Sequence, residues 1–142
     1  MNLATKNALV LVWLFASVGL VRGGDEKITG LLKEQLASAR KAFELNWKSY
    51  QTHVRFAADP ESICLWSKRW LDAEQALAKK KSEKSSALED HIARIKMLEE
   101  SVAKLSKIEA SFQRQLAMVT FFRLEAEILL AQAKAASRPK EK

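Results

Sequence analysis

From Leu31 to Arg138 the chain contains no glycine and a single proline, Pro60. Glycine and proline are the residues that break helices and shape tight turns. A stretch so poor in them, and dominated by Ala, Leu, Lys, Glu and Arg, favours long helices. No run alternates apolar and polar residues with period two, so no sheet is expected.

Apolar residues recur at spacings of three and four, the period of a one-sided helix. Ile28, Leu32, Leu36 (or Gln35), Ala39, Phe43, Trp47, Tyr50 and Val54 predict a first helix over about 25–56. Gly30 weakens its first turns by about 1 kcal/mol relative to alanine. Asp59, Pro60 and Glu61 then form a strong helix-start signal. The Asp59 carboxylate can cap free amides, Pro60 suits the first helical position, and Glu61 complements the positive helix end.

A second helix is expected over 60–107. Ile63, Trp66, Trp70, Ala73 and Leu77 start its stripe, and Leu88, Ile92, Ile95, Leu98, Val102 and Leu105 resume it. The intervening "KKKSEKSS" holds no glycine or proline, so it reads as a solvated part of one continuous helix, with a loop as the alternative. The stripe also continues through Phe112, Leu116, Val119 and Ala126. One helix from Pro60 to Ala136 would be about 115 Å long and would need partners along its length. A turn near residues 107–112 is therefore expected, with a third helix over 112–136 folding back. The fold class is all-α: a long antiparallel helical hairpin or coiled coil of three helices, with a disordered tail at 137–142.

The chain also repeats itself. Leu71, Ala73, Glu74, Leu77 and Ala78 recur as Leu124, Ala126, Glu127, Leu130 and Ala131. Stacked copies of a helix–turn–helix unit can bury faces that neither buries alone. In this reading the two copies share the second helix. A first turn centred between Ala58 and Asp59 would set Trp47 opposite Trp70, Tyr50 near Trp66, and Val54 on Ile63. A second centred near Ala110 would set Val102 by Met118 or Val119, and Leu98 by Phe122. Trp47, Tyr50, Trp66 and Trp70 are then a structural aromatic cluster rather than a ligand site.

Residues 1–23 read as a secretory signal peptide. Lys6 precedes the apolar run "ALVLVWLFASVGLV", and Val21 and Gly23 suit a cleavage site. An uncleaved anchor is the alternative, although the run is short of the roughly 20 residues a membrane span needs. Residues 24–136 form the helical coiled-coil domain. Removing the leader takes away Lys6 and Arg22 and leaves 22 basic against 17 acidic residues, net +5. Interspersed acids make this a solvated helix surface before they make it a patch for acidic partners. An exported protein of this kind is not expected to meet nucleic acid, whereas protein partners, self-association and proximity to the membrane through envelope complexes are.

Chemistry-bearing residues are sparse. Cys64 is the only cysteine, cannot pair within the chain, and reads as a buried small hydrophobe in "SICLW". By the first pairing His53 lies near Cys64, but two ligands do not make a metal site. His91 follows Glu89 and Asp90, which splay around a helix rather than converge. No catalytic, cofactor or metal residues are expected, and no cofactor.

"RFAADPESICLWSKRWLDAEQALA" and "FFRLEAEILLAQAKA" resemble the long-helix segments of TolC-like outer-membrane efflux proteins. Two helix–turn–helix repeats per chain build an α-helical barrel in that family. The resemblance spans roughly residues 30–136. It implies an exported, non-enzymatic helical protein, periplasmic or in the cell envelope, serving as a structural or interaction module, an accessory or relic of efflux systems. No amphipathic strands for the membrane barrel are present, so channel activity is not carried over. A periplasmic holdase chaperone with a basic helical surface is the alternative.

Overall fold

The computed structural model describes residues 22–52 and 59–137 and forms four helices: α1 (Arg22–Gln51), α2 (Pro60–Leu77), α3 (Lys81–Ser106) and α4 (Phe112–Ala135). The all-α class stands. The count of three helices does not, because the expected second helix is two. The expected leader lies outside the described residues except for its last two positions, which open α1. His53, Val54 and the tail beyond Ser137 also lie outside them.

The break that splits the expected helix falls at Ala78–Lys80. Ala78 and Lys80 are both extended (φ −67, ψ 125 and φ −111, ψ 149). Glu83 makes this possible. Its Oε2 accepts the Lys79 and Lys80 amides at 2.8 and 3.1 Å, satisfying donors that a continuous helix would pair internally. A glutamate at the third helical position thus ends one helix and starts the next without glycine or proline.

α2 begins as its sequence indicates. Asp59 is extended, and its Oδ1 accepts the Ser62 amide at 2.7 Å, with buried Pro60 at the first position. α1 is followed to Gln51, and the expected continuation to Phe56 lies outside the described residues beyond Thr52. The Thr52 amide bonds the Lys48 carbonyl at 3.1 Å, and the Thr52 hydroxyl bonds the Lys48 and Ser49 carbonyls, satisfying the helix end. The α1–α2 register differs from the expected one by about one turn. Trp70 meets Phe43 edge-on at a 5.6 Å centroid distance, in place of the expected Trp47, and Arg40 pairs with Glu74 at 2.8 Å.

The α3–α4 turn falls where expected. Glu99 accepts from Thr120 at 2.6 Å and from Arg123 at 2.6 Å, matching a turn centred near Ala110. Leu98, Val102 and Val119 are wholly buried together, with Met118 and Phe122 against them.

Each helix therefore runs antiparallel to the next. α2 is the hub: it packs on α1, α3 and α4, and α3 also packs on α4. The main core joins Phe43, Ile63, Cys64, Ile95, Leu98, Val102 and Val119, and a second cluster joins Leu71, Ala87 and Leu88 beneath Leu130 and Ala133. The duplication now has a simpler form than a shared helix. Each copy is one hairpin, α1–α2 and α3–α4, and α4 starts 52 residues after α2. Ala73 and Ala126 are both buried. Glu74 ties α2 to Arg40 of α1, and Glu127 ties α4 to Lys96 of α3 at 3.1 Å.

Candidate functional site: a sealed polar cluster and an open helix face

Two features stand apart from ordinary packing. The first is a buried polar cluster where the hairpins meet. Ser67 of α2 (0% exposed) lies against His91 (4%) and Arg94 (7%) of α3. Arg94 Nε donates to Ser67 Oγ at 2.9 Å, and Nη2 lies 3.5 Å from the Ser67 carbonyl oxygen. Ser67 Oγ is 2.8 Å from His91 Nδ1. Which of the two donates follows the imidazole tautomer, because a serine hydroxyl can both give a proton and accept a second bond beside the guanidinium.

Burial, followed by the charges of Arg94 and Lys68, pushes the His91 pKa down from 6.5 to about 4. Burial also lowers Arg94, partly offset by the carboxylates of Glu74 and Asp90. The guanidinium lies 3.9 Å from the Trp70 ring centroid, a desolvated cation–π contact, with Phe43 at 5.9 Å. Arg40 covers Trp70 at 5.1 Å, in addition to its bond to Glu74.

A serine 2.8 Å from a histidine has the spacing of a nucleophile and its base. Here the serine has no exposed surface, and the imidazole is a far weaker base than an ordinary histidine. The cluster's evident work is to join α2 to α3. It was missed in the sequence because a continuous helix would put Ser67 and His91 about 36 Å apart. The signal that could have found it was the helix-start chemistry of Glu83.

The expected aromatic residues are brought together. Trp47, Tyr50, Trp66 and Trp70 all pack, half-buried, against the main core. Trp47 stacks on Tyr50 at 6.0 Å, and Arg69 lies 4.6 Å over Trp66. Burial raises the Tyr50 phenol, opposed by the Ser101 side chain. Cys64 is buried, and burial, then Asp59 and Glu61, pushes its thiol up to about 12. The expected partner His53 lies outside the described residues.

An open cleft of about 360 Å³ lies where α1 passes the α2–α3 connection, lined by Leu36, Leu77, Glu74, Glu83 and Asp90 among others. Two of its carboxylates have partners, Glu74 Oε1 on Arg40 and Glu83 Oε2 on the backbone amides, while Asp90 is exposed and acts on Arg94 through its charge. Among the described residues no group of three or more His, Cys, Asp or Glu could hold a metal ion, and no helix is long and apolar enough to cross a membrane.

The second feature is the outer face of α4. Ala117, Phe121, Leu124, Ile128, Ala131 and Ala135 follow one another at spacings of four and three and are all exposed. They lie opposite the side that buries Val119 and Ala126. α4 is thus apolar around most of its girth, a pattern typical of a helix covered on every side. No protein family, curated sequence or solved structure matches this chain.

Proposed function

We propose that this chain is an exported, non-enzymatic helical interaction module of the cell envelope, and that α4 is its working surface. The observation that carries this reading is the division of chemistry within the fold. The reactive-looking groups are sealed inside as a structural joint, while the largest contiguous apolar stripe on α4 is left open. Exposed apolar patches of this kind mark contact surfaces. Two consecutive helix–turn–helix units whose second helices repeat at an offset of 53 residues support the proposed kinship with the helical repeats of TolC-like efflux proteins. An accessory role in an envelope assembly is the reading that joins these features.

The test is cross-linking and recovery of the tagged full chain from the envelope of its native cell, with N-terminal sequencing of the recovered protein. Cleavage after Gly23 and recovery of a defined envelope protein, lost on Phe121→Glu, is the expected result. An unprocessed chain with no α4-dependent partner overturns the reading. The same face also suits the holdase alternative, which requires suppression of aggregation of a denatured outer-membrane protein. No effect at several-fold molar excess removes that alternative.

A further inference from the structure

We infer that the open face of α4 pairs with the same face of a second copy of this chain, forming a closed two-fold dimer. The inference deepens the interaction-module reading and rests on it. The repeat indicates what is missing at this face. In the first hairpin, Leu71 is 1% exposed because Ala87 and Leu88 of the next hairpin cover it. Its counterpart in the second hairpin, Leu124, is 46% exposed, between Phe121 at 63% and Ile128 at 57%. The second hairpin ends the stack with no third unit against it among the described residues.

Continued head-to-tail stacking onto α1 of another copy does not fit. The residues of α3 that cover α2 are Ala87, Leu88, His91 and Arg94, and the repeat maps them back to Glu34, Gln35, Ser38 and Lys41. All four of these are exposed and polar, and cannot seal a leucine. An apolar stripe on its own mate is self-complementary, and a two-fold contact closes rather than grows.

The spacing is that of a coiled-coil seam. Phe121, Ile128 and Ala135 occupy the a positions, and Ala117, Leu124 and Ala131 the d positions. The alanines allow close approach at both ends of the stripe. Charge selects the orientation. Side by side in parallel, Glu125 faces Thr120 of the second copy and Glu127 faces Gln132. Antiparallel pairing would set Glu125 on Glu125 and Glu127 near Glu127. Ile128 at a with Leu124 at d also suits two parallel strands. Beside the stripe stand Glu125, Glu127 and Lys134, the last two paired to α3, so the flank lacks the run of lysine and arginine that a helix on an anionic membrane carries. Phe121, Leu124 and Ile128 expose about 300 Å² per chain, taking a phenylalanine at about 200 Å² and the aliphatic residues somewhat lower. With the three alanines and a polar rim the contact stays below about 600 Å² per partner, the low end of specific interfaces, so the dimer is reversible.

Light-scattering mass of the full chain is measured from about 1 to 200 µM, a range that brackets micromolar association. Wild type and Leu65→Glu, a change on exposed α2 surface outside the stripe, double in mass over this range. Ile128→Glu stays at one chain, with an unchanged helical circular-dichroism spectrum. Since the apolar leader is common to all three, their difference reads α4. Leu124→Cys, oxidised with glutathione disulfide, gives a covalent dimer, because parallel pairing sets this position against its mate. A wild type fixed at one chain, growth beyond two, Ile128→Glu matching wild type, or no Leu124→Cys cross-link each overturns the inference. A monomer that still recovers an envelope partner through α4 sinks the dimer alone. A dimer that recovers none sinks the interaction-module reading alone.

Discussion

Acidification should destabilise this protein well above the range where carboxylates titrate, and His91 is the reason. Folded, its pKa is about 4, against an ordinary 6.5, because the imidazole is buried beside Arg94 with Nδ1 held by Ser67. Between these values the unfolded chain binds a proton at His91 and the folded chain does not. Stability therefore falls as pH falls through 6.5 and levels off below about 4. The full shift is worth roughly 3 kcal/mol, of which roughly 2 kcal/mol is lost between pH 7 and pH 5. Glu127 is held below the ordinary carboxylate range by Lys96 and Arg123, so it stays ionised throughout that window. Urea unfolding at pH 7, 6 and 5, followed by circular dichroism, measures the slope. His91→Asn leaves an acceptor near the Nδ1 position but cannot titrate. Its curve should be nearly flat and should cross that of wild type as pH falls. A wild type equally stable at pH 7 and pH 5, or an asparagine variant with the same slope, refutes the assignment of this dependence to the Ser67–His91–Arg94 cluster.

Other consequences are directly measurable. Glu83→Ala removes the acceptor for two amides at the α2–α3 break and should cost about 1 kcal/mol in urea unfolding. Gly30→Ala meets no atom within 4 Å and should raise hydrogen-exchange protection in the first turns of α1 by about 1 kcal/mol. Leu98→Ala, at a wholly buried position in the main core, should cost about 2–5 kcal/mol. Cys64 should resist alkylation at pH 8 in the folded protein and react once urea unfolds it, since burial keeps the thiol protonated.

The legible parts of the fold were those written in local chemistry. Asp59 and Pro60 announce the start of α2, and the apolar stripes announce helices on both sides of residue 110. The α2–α3 break was hidden because Lys79 to Lys84 are good helix formers. What ends the helix there is the carboxylate of Glu83 reaching back to two amides, a choice that propensity does not record. The α1–α2 register was missed because a stripe of spacing three and four fits equally well one turn along, and Phe43 stands four residues from Trp47. These two errors account for most of what was not seen at the candidate site. Without the break, Ser67 and His91 cannot meet. With the register one turn along, Trp47 takes the place on Trp70 that belongs to Phe43. The sharing of one helix between the repeat's two copies was likewise an artefact of the missing break.

Arg94 has a further consequence as an index mark. Purely apolar helices tolerate sliding, since one leucine replaces another after a turn. Moving α3 along α2 by one turn, 5.4 Å, would take the guanidinium away from Ser67 and the Trp70 ring and leave a cation in an apolar seam. An unpaired buried charge costs about 3–5 kcal/mol, a large share of what holds a domain of this size together. Two hairpins with similar apolar stripes have several ways to stack that satisfy their leucines, and this one cation makes the shifted ones expensive.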